Sequence, residues 1–596
     1  MPAASPATDA AAALLCGLVA QGVRHVVLSP GSRSQALALV AAELERRGEI
    51  SLHVRIDERV AGFTALGIGR ESGMPAVVVC TSGTAAANLL PAALEAHHAG
   101  VPLLLLTADR PPELRGVGAN QTTRQPGMFA PTVRFEADLP VPETVDQGGD
   151  SEQSAMLREV AEQALSAALG AGTRSPGPVH LNLPFREPLA GPLPQWLGAP
   201  APEAPASVDL DAAPEEPVPD DESFGALYQG GGGIGESDVP IDTADEPFVL
   251  TRGPRTVVIA GADAGADAEE LAHLGGWPLV AEIVSGARYG RNLVHGYREL
   301  LRDADLGGRV ERAVVLGHPT LSREVVALLS RADVDVYAVR GPGEPLNLNG
   351  ATTPVDLVAV AVGETDREWV GAWLRASQAA AVDLAPPAPD AAGLSSAVPG
   401  ERLPAIAAEL AVFRAPLDRT TLVDAVWRAT WPHDRLVFGS SRLVRVADAV
   451  LGGKKVPVHA NRGLAGIDGT IATAIGVALA SQRDGAPGLT RVLVGDLTFL
   501  HDVGALLRTP GEREPRVQVI VGNDGGGTIF DGLEVSSVAD AAAMERVLYT
   551  PQTARIAQLA EAYGWEHHRV TTRAALDQAL TAPVGGRQII EVPLDR

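Results

Sequence analysis

Lysine is almost missing from this chain: among 596 residues only the neighbours Lys454 and Lys455 occur. Neither follows the Gly-rich spacing of a phosphate-binding P-loop, and imine chemistry on a lysine is not expected. Cysteine is equally scarce. Cys16 and Cys80 give no disulfide framework and suit a reducing compartment. No run of about 18 apolar residues exists, so no membrane-spanning helix is expected. No basic leader precedes the first apolar patch, so the sequence predicts no signal peptide and a cytoplasmic location. Positive charge is short as well: 48 Lys and Arg face 73 Asp and Glu, a net charge of −25. That balance argues against nucleic acid as a partner, because phosphate backbones are bound by clustered Lys and Arg.

What is present is apolar and periodic. The chain is 46% apolar and 20% charged, enough for several large cores. HVVLSP (His25–Pro30), AVVVC (Ala76–Cys80), PLLLLT (Pro102–Thr107) and VHLNLP (Val179–Pro184) are continuous apolar runs separated by helical stretches. Such strands belong to a parallel sheet covered on both faces, and residues 1–194 are expected to form one α/β domain. Residues 195–250 change character: rich in Pro, Ala, Asp and Glu, with Gly230 to Gly233 in a row, they predict a flexible acidic linker. No strand leads into that glycine run, so a phosphate cradle is not expected there. Alternation resumes over 251–383, where Gly261 and Gly265 do not complete a dinucleotide fingerprint. This middle domain reads as mostly structural. A Pro/Ala-rich connector (384–403) then leads into a last α/β domain, 404–596.

The stretch Leu493–Phe530 concentrates the chemistry. One short apolar run ends in Gly495-Asp496, and a second, Val517–Val521, is followed by Asn523-Asp524-Gly525-Gly526-Gly527. Two strand ends thus deliver acidic and glycine clusters to one sheet edge, the edge at which open α/β sheets bind ligands. Carboxylate and amide oxygens beside exposed backbone suit a hard cation shared with a phosphate. In the first domain Asp57-Glu58 opens a helix, where acidic residues are common for electrostatic reasons alone. Val60, Ala61 and Phe63 nearby would raise the pKa of Glu58 by desolvation, which favours proton transfer. The adjacent His97 and His98 diverge on a helix and make a poor chelate, and His501 reads as a satisfied polar residue.

GDLTFLHDVGALL and NDGGGTIF, together with SPGSRSQALA, DERVAGF, CTSGTAAANL, TADRPPELRGVGANQTTRQPGMF and NRGLAGIDGT, resemble the motifs of thiamine-diphosphate-dependent enzymes, and within them the carboligases of menaquinone biosynthesis. The resemblance covers nearly all of 10–190 and 420–545 and is weak in the middle. It implies three doubly wound parallel-sheet domains, thiamine diphosphate, and Mg²⁺ with Mn²⁺ as an alternative. Asp496 and Asp524 would hold the metal through side chains, with Asn523 as the alternative ligand and Gly526 lending its carbonyl. Pro30, Ile467, Leu497 and Thr498 would touch the cofactor, Ile467 as the wedge that keeps it bent. Glu58 would hydrogen-bond the aminopyrimidine ring. The family often has two asparagines where Gly522-Asn523 stands, and Thr528 is extra.

The implied substrates, 2-oxoglutarate and isochorismate, are carboxylates, which gives meaning to Arg33, Arg110, Arg445 and Arg462 in or near the motif loops, with Asn120, Gln121, Ser441 and Phe530. From the middle domain, Arg288 and Arg291 are candidates. Because Glu58 and the metal cluster lie in different domains, the family's arrangement would pair them across a homodimer or homotetramer. Two rival readings are an acetolactate synthase-like carboligase, which expects a flavin-binding middle domain without a visible fingerprint, and a non-catalytic regulatory homologue.

Overall fold

The computed structural model describes residues 5–144, 151–173, 175–197 and 246–596. The acidic linker expected over 195–250, including Gly230–Gly233, lies almost wholly outside the described residues.

Three parallel sheets carry the fold. The first has the spatial order Ser51–Val54, His25–Leu28, Ala76–Cys80, Leu103–Asp109, Pro178–Pro184, Phe135–Asp138. Successive residues of a strand face opposite sides. Accordingly Val27, Val78, Leu103 and Leu105 enter one core while Val26, Val77, Leu104 and Leu106 enter another. Both faces are covered by helices, which is why these strands read as unbroken apolar runs. The middle sheet (Thr353–Val355, Asp335–Val339, Arg312–Leu316, Thr256–Ala260, Leu279–Ala281) follows the same rule. The third sheet runs Val458–Ala460, Arg435–Phe438, Thr490–Gly495, Val517–Asn523, Arg587–Pro593, Glu566–Arg569. Numbered within their own units, the first and third sheets have the same order, so the chain holds one topology twice.

The two copies meet through equivalent helices, Glu58–Ser72 and Thr470–Ser481. Thr64 and Gly67 of one cross Thr473 and Gly476 of the other. A Cβ on Gly67 would stand 2.0 Å from the Thr473 carbonyl oxygen, and one on Gly476 2.0 Å from that of Thr64. Only glycine allows this approach, and one core runs continuously from Val60 and Phe63 to Ile471, Val494 and Val519.

The connector expected over 384–403 is partly helical: Ala391–Ser395 and Pro399–Arg414 are helices. Pro399 sits in the first turn, where its missing N–H costs nothing.

A second joint between the two copies is acid-sensitive. Glu512 accepts from the Val54 backbone N–H at 2.6 Å and pairs with Arg55 at 2.9 Å, closing the exposed edge of the first sheet. Behind it His25 Nδ1 and His53 Nε2 share a hydrogen bond of 3.1 Å. Burial, then the neighbouring His53 and Arg483, lowers His25 from 6.5 to about 3. A depressed histidine contributes stability fully above the unfolded value and loses it as pH falls through the window from 6.5 towards 3. At pH 5 the loss from His25 is about 2 kcal/mol. Glu512 is lowered to about 2, because His53, Arg55 and the Val54 N–H outweigh its burial, and its own loss begins only below the ordinary 4.5. Relative to His25→Asn, the wild-type protein is therefore expected to lose melting temperature between pH 7.5 and pH 5; carboxylates that gain stability over the same range, such as Asp496 and Asp502, are common to both proteins and cancel in the comparison. Equal slopes for the two proteins would contradict this.

Candidate active site

All strands of the third sheet are parallel, so their C-terminal ends share one edge. Strand 435–438 ends before Ser440-Ser441, strand 458–460 before Asn461-Arg462, strand 490–495 at Asp496, and strand 517–523 before Asp524. Gly495 pairs with Gly522 in register, so the two acidic turns are neighbours. Both carboxylates are buried, Asp496 at 6% and Asp524 at 9% exposure. Burial, then the charge of Asp524, raises Asp496 to about 6 against the backbone N–H groups of Leu497 and Gly526 that favour its charge. A buried pair of like charges held this close is a site that favours a cation. Gly526 adopts φ 130°, and a Cβ there would lie 2.2 Å from the Tyr549 carbonyl oxygen, so the turn admits only glycine.

Asn523 and Asp524, the two alternative metal ligands, both have side-chain partners. Asn523 donates its amide to Glu591 Oε1 at 3.0 Å, back along the sheet. Asp524 Oδ2 accepts from Arg419 at 2.8 Å and from the Thr528 hydroxyl at 2.5 Å. The extra threonine thus serves the acidic residue that accompanies it. Gly522 also has a packing reason, since a Cβ would stand 2.9 Å from Leu443 and 3.0 Å from Leu594. An asparagine has no room there.

Around this edge lie the arginines. Arg445 donates to the Ser441 carbonyl at 3.0 Å, and Ser441 caps helix Arg442–Val450. Arg462, 3% exposed, donates from Nη1 to Ser440 Oγ at 3.1 Å. Burial weakens the hold of both guanidiniums on their protons, for Arg445 with the charge of Arg298 adding to it, and the two lie within electrostatic reach of each other. Thr498 is buried, Leu497 and Phe530 are half-buried, and Ile467 is exposed on the loop before helix Thr470–Ser481.

The first sheet presents the remaining residues at its own C-terminal edge. Pro30 is exposed; Arg33, 5% exposed, donates to the Phe185 carbonyl at 3.0 Å. Glu58 is half-buried, and its charge adds to the burial that pushes the Cys80 thiol up. Arg110 follows strand Leu103–Asp109 and keeps its Nε buried without a partner. Gln121 holds a left-handed φ of 56° while its amide donates to the Ser82 carbonyl at 3.0 Å, and Asn120 beside it is exposed.

Pro30, Arg33, Glu58, Arg110, Asn120 and Gln121 thus gather at one edge. Ser441, Arg445, Arg462, Ile467, Asp496, Leu497, Thr498, Asp524, Gly526 and Phe530 gather at the other. Within the chain the start of the Glu58 helix meets the far end of helix Asp496–His501: Arg59 donates to the His501 carbonyl at 2.9 Å. Six residues of helix put Asp496 about 8 Å from that contact.

One expectation needs correction. Arg288 is not directed to the site; it is consumed by the carbonyls of Ala281, Asp448 and Leu451, and Arg291 lies against His273. The middle unit also contacts the third one. Its Thr320 clamps Arg462, its Arg298 reaches Asp448, and its Arg323 pairs with Glu534 beyond the Phe530 turn. No local motif announces these contacts.

Comparison with known proteins gives the same picture. The N-terminal TPP binding domain of thiamine pyrophosphate enzymes matches residues 8–128, and their C-terminal TPP binding domain matches 453–592. The 2-succinyl-5-enolpyruvyl-6-hydroxy-3-cyclohexene-1-carboxylate synthase of Leifsonia xyli subsp. xyli is 54% identical, covering 99% of this chain and 97% of its own length. The chain belongs to this synthase family. The synthase of the same name from Clavibacter michiganensis is 52% identical with the same coverage, and that of Kineococcus radiotolerans 43% over 99% and 96%. As a thiamine pyrophosphate enzyme of this synthase family, the chain presents its acidic pair and its glycine-only turn within the matched C-terminal TPP binding domain, and Glu58 within the N-terminal one.

Proposed function

We propose that this chain decarboxylates 2-oxoglutarate and joins the resulting succinyl fragment to isochorismate, giving the product for which its relatives are named, in menaquinone biosynthesis. The observation that carries this reading is the third sheet's edge, where a buried acidic pair shares the strand ends with the buried Arg462 and the half-buried Arg445. Asp496 and Asp524 would hold Mg²⁺ or Mn²⁺, with the Gly526 carbonyl, leaving positions for diphosphate oxygens and water. Ile467, Leu497, Thr498 and Pro30 would line the cofactor. Thiamine diphosphate, when bound, supplies the electron sink that lets a 2-oxo acid lose CO₂. Glu58 would hold a proton at the pyrimidine ring nitrogen. Arg445, Arg462 and Ser441, with Arg33, Arg110, Asn120, Gln121 and Phe530, would orient the carboxylates, their positive charge offsetting the repulsion of an acidic chain.

CO₂ release from 2-oxoglutarate with thiamine diphosphate and Mg²⁺, measured with and without isochorismate, tests the reading. Release that is absent under both conditions would overturn it, and would favour a non-catalytic homologue.

The site is completed by a second copy. Ile56, 74% exposed beside Glu58, and Leu464 and Ile467, 53% and 36% exposed at the other edge, are apolar residues without cover in a single chain. A homodimer or homotetramer that sets one copy's Glu58 edge against another's Asp496 edge would cover them. Size-exclusion chromatography with light scattering is expected to show at least a dimer under assay conditions, and a fully active monomer would refute this arrangement.

A further inference from the structure

Arg462 is held from outside its own unit. Its Nε donates to Thr320 Oγ1 at 2.9 Å and its Nη2 to the Thr320 carbonyl at 3.1 Å, so one edge of the guanidinium is closed on a single residue of the middle unit. With Nη1 on Ser440, three of the five N–H groups have partners, and the two that remain are on the terminal nitrogens. Those two form the fork that receives a carboxylate. Thr320 lies in the loop between strand Arg312–Leu316 and helix Arg323–Leu329, and a loop alone fixes a fork poorly.

Glu282 holds this loop, together with the backbone bridge between Ala262 and His318 and the buried side chain of Leu321. Glu282 follows strand Leu279–Ala281, is fully buried, and accepts from the backbone N–H of Thr320 at 3.0 Å with both oxygens and from that of Leu321 at 2.7 Å. Among the described residues Glu282 forms no ion pair. Asp448, whose charge acts on Glu282, has its own partners in Tyr297, Arg298, Arg288 and the Ile283 N–H. Burial and the charge of Asp448 hold Glu282 well above the usual carboxylate range. A carboxylate kept in so unfavourable a place, with its hydrogen bonds spent on one turn, is an expensive way to anchor a loop that apolar packing could anchor.

We propose that Glu282 is a positioning residue for dicarboxylate recognition, acting through Thr320 to aim the Arg462 fork at a carboxylate of the 2-oxoglutarate substrate. This rests on the carboxylate-binding role of Arg462 stated above. Glu282 touches neither substrate nor cofactor; it sets the geometry of the residue that does.

The test uses the holoenzyme and the variants Glu282→Gln, Arg462→Ala and the double variant. Glutamine keeps the volume but offers one acceptor oxygen and turns an amide N–H₂ towards backbone donors. Glu282→Gln is expected to raise KM for 2-oxoglutarate about tenfold, with kcat and thiamine diphosphate affinity within about twofold. Amide exchange at Thr320 and Leu321 should speed up. In the Arg462→Ala background the same change should have no further effect on KM, because the partner it acts through is gone. An unchanged KM, unchanged exchange, or effects that simply add in the double variant would overturn the proposal. If the wild-type protein does not turn over 2-oxoglutarate, the functional reading fails separately. Glutarate binding by calorimetry then decides this one: Glu282→Gln must weaken it about tenfold, and equal affinity would overturn it.

Discussion

Glu58→Gln is expected to lower CO₂ release about a thousandfold while leaving thiamine diphosphate affinity within about twofold. A positioned acid–base group contributes on this scale, and glutamine copies the shape of the side chain without its ability to take up a proton. The structure also separates this role from a structural one. Helix Glu58–Ser72 is capped by Asp57, whose side chain accepts from the N–H groups of Arg59 at 2.9 Å and Val60 at 3.3 Å. Glu58 is thus not needed to start the helix, and its replacement should leave the melting temperature unchanged. Asp57→Asn, by contrast, should act on stability through the cap, by about 1 kcal/mol or less. Turnover by Glu58→Gln equal to wild type would remove Glu58 from the mechanism.

The sequence made the sheets legible because their strands are buried on both faces, and Val77–Val79 or Leu103–Leu106 can satisfy both cores only by being apolar throughout. The acidic turns were legible for a related reason: Asp496 and Asn523-Asp524 each follow such a strand directly, so chain order and spatial order coincide. Where the two diverge, reading failed. The Thr320–Arg462 clamp joins residues 142 apart, and nothing local to HPTLS signals it. Strand Phe135–Asp138 leaves no such mark, being a half-buried edge strand without a continuous apolar run. The start of helix Pro399–Arg414 is hidden by a Pro and Ala composition that suggests extended chain, although Pro399 begins the helix and Pro404 stands inside it. The side-chain partners of the acidic turn, Glu591 for Asn523 and Arg419 with Thr528 for Asp524, are visible only in the fold.

Asp496→Asn should separate what this site contributes to binding from what it costs the fold. In the cation-free protein the Asp496 carboxylate is disfavoured first by burial and then by repulsion from Asp524, which together raise it to about 6. Removing one of the two charges relieves that repulsion, since the asparagine oxygen can still accept from the N–H groups that now serve the carboxylate. Without metal or cofactor the variant is expected to be more stable than wild type at pH 7.5, by about 1–2 kcal/mol. With Mg²⁺ the order reverses. The neutral amide is a weaker ligand for a hard cation, and thiamine diphosphate affinity measured by calorimetry should fall about a hundredfold, close to the value that wild type shows in chelator. A residue that only filled space would move both measurements in the same direction. Opposite signs are the mark of a carboxylate pair held for a cation, and equal Mg²⁺-dependent affinity in variant and wild type would remove Asp496 from the metal site.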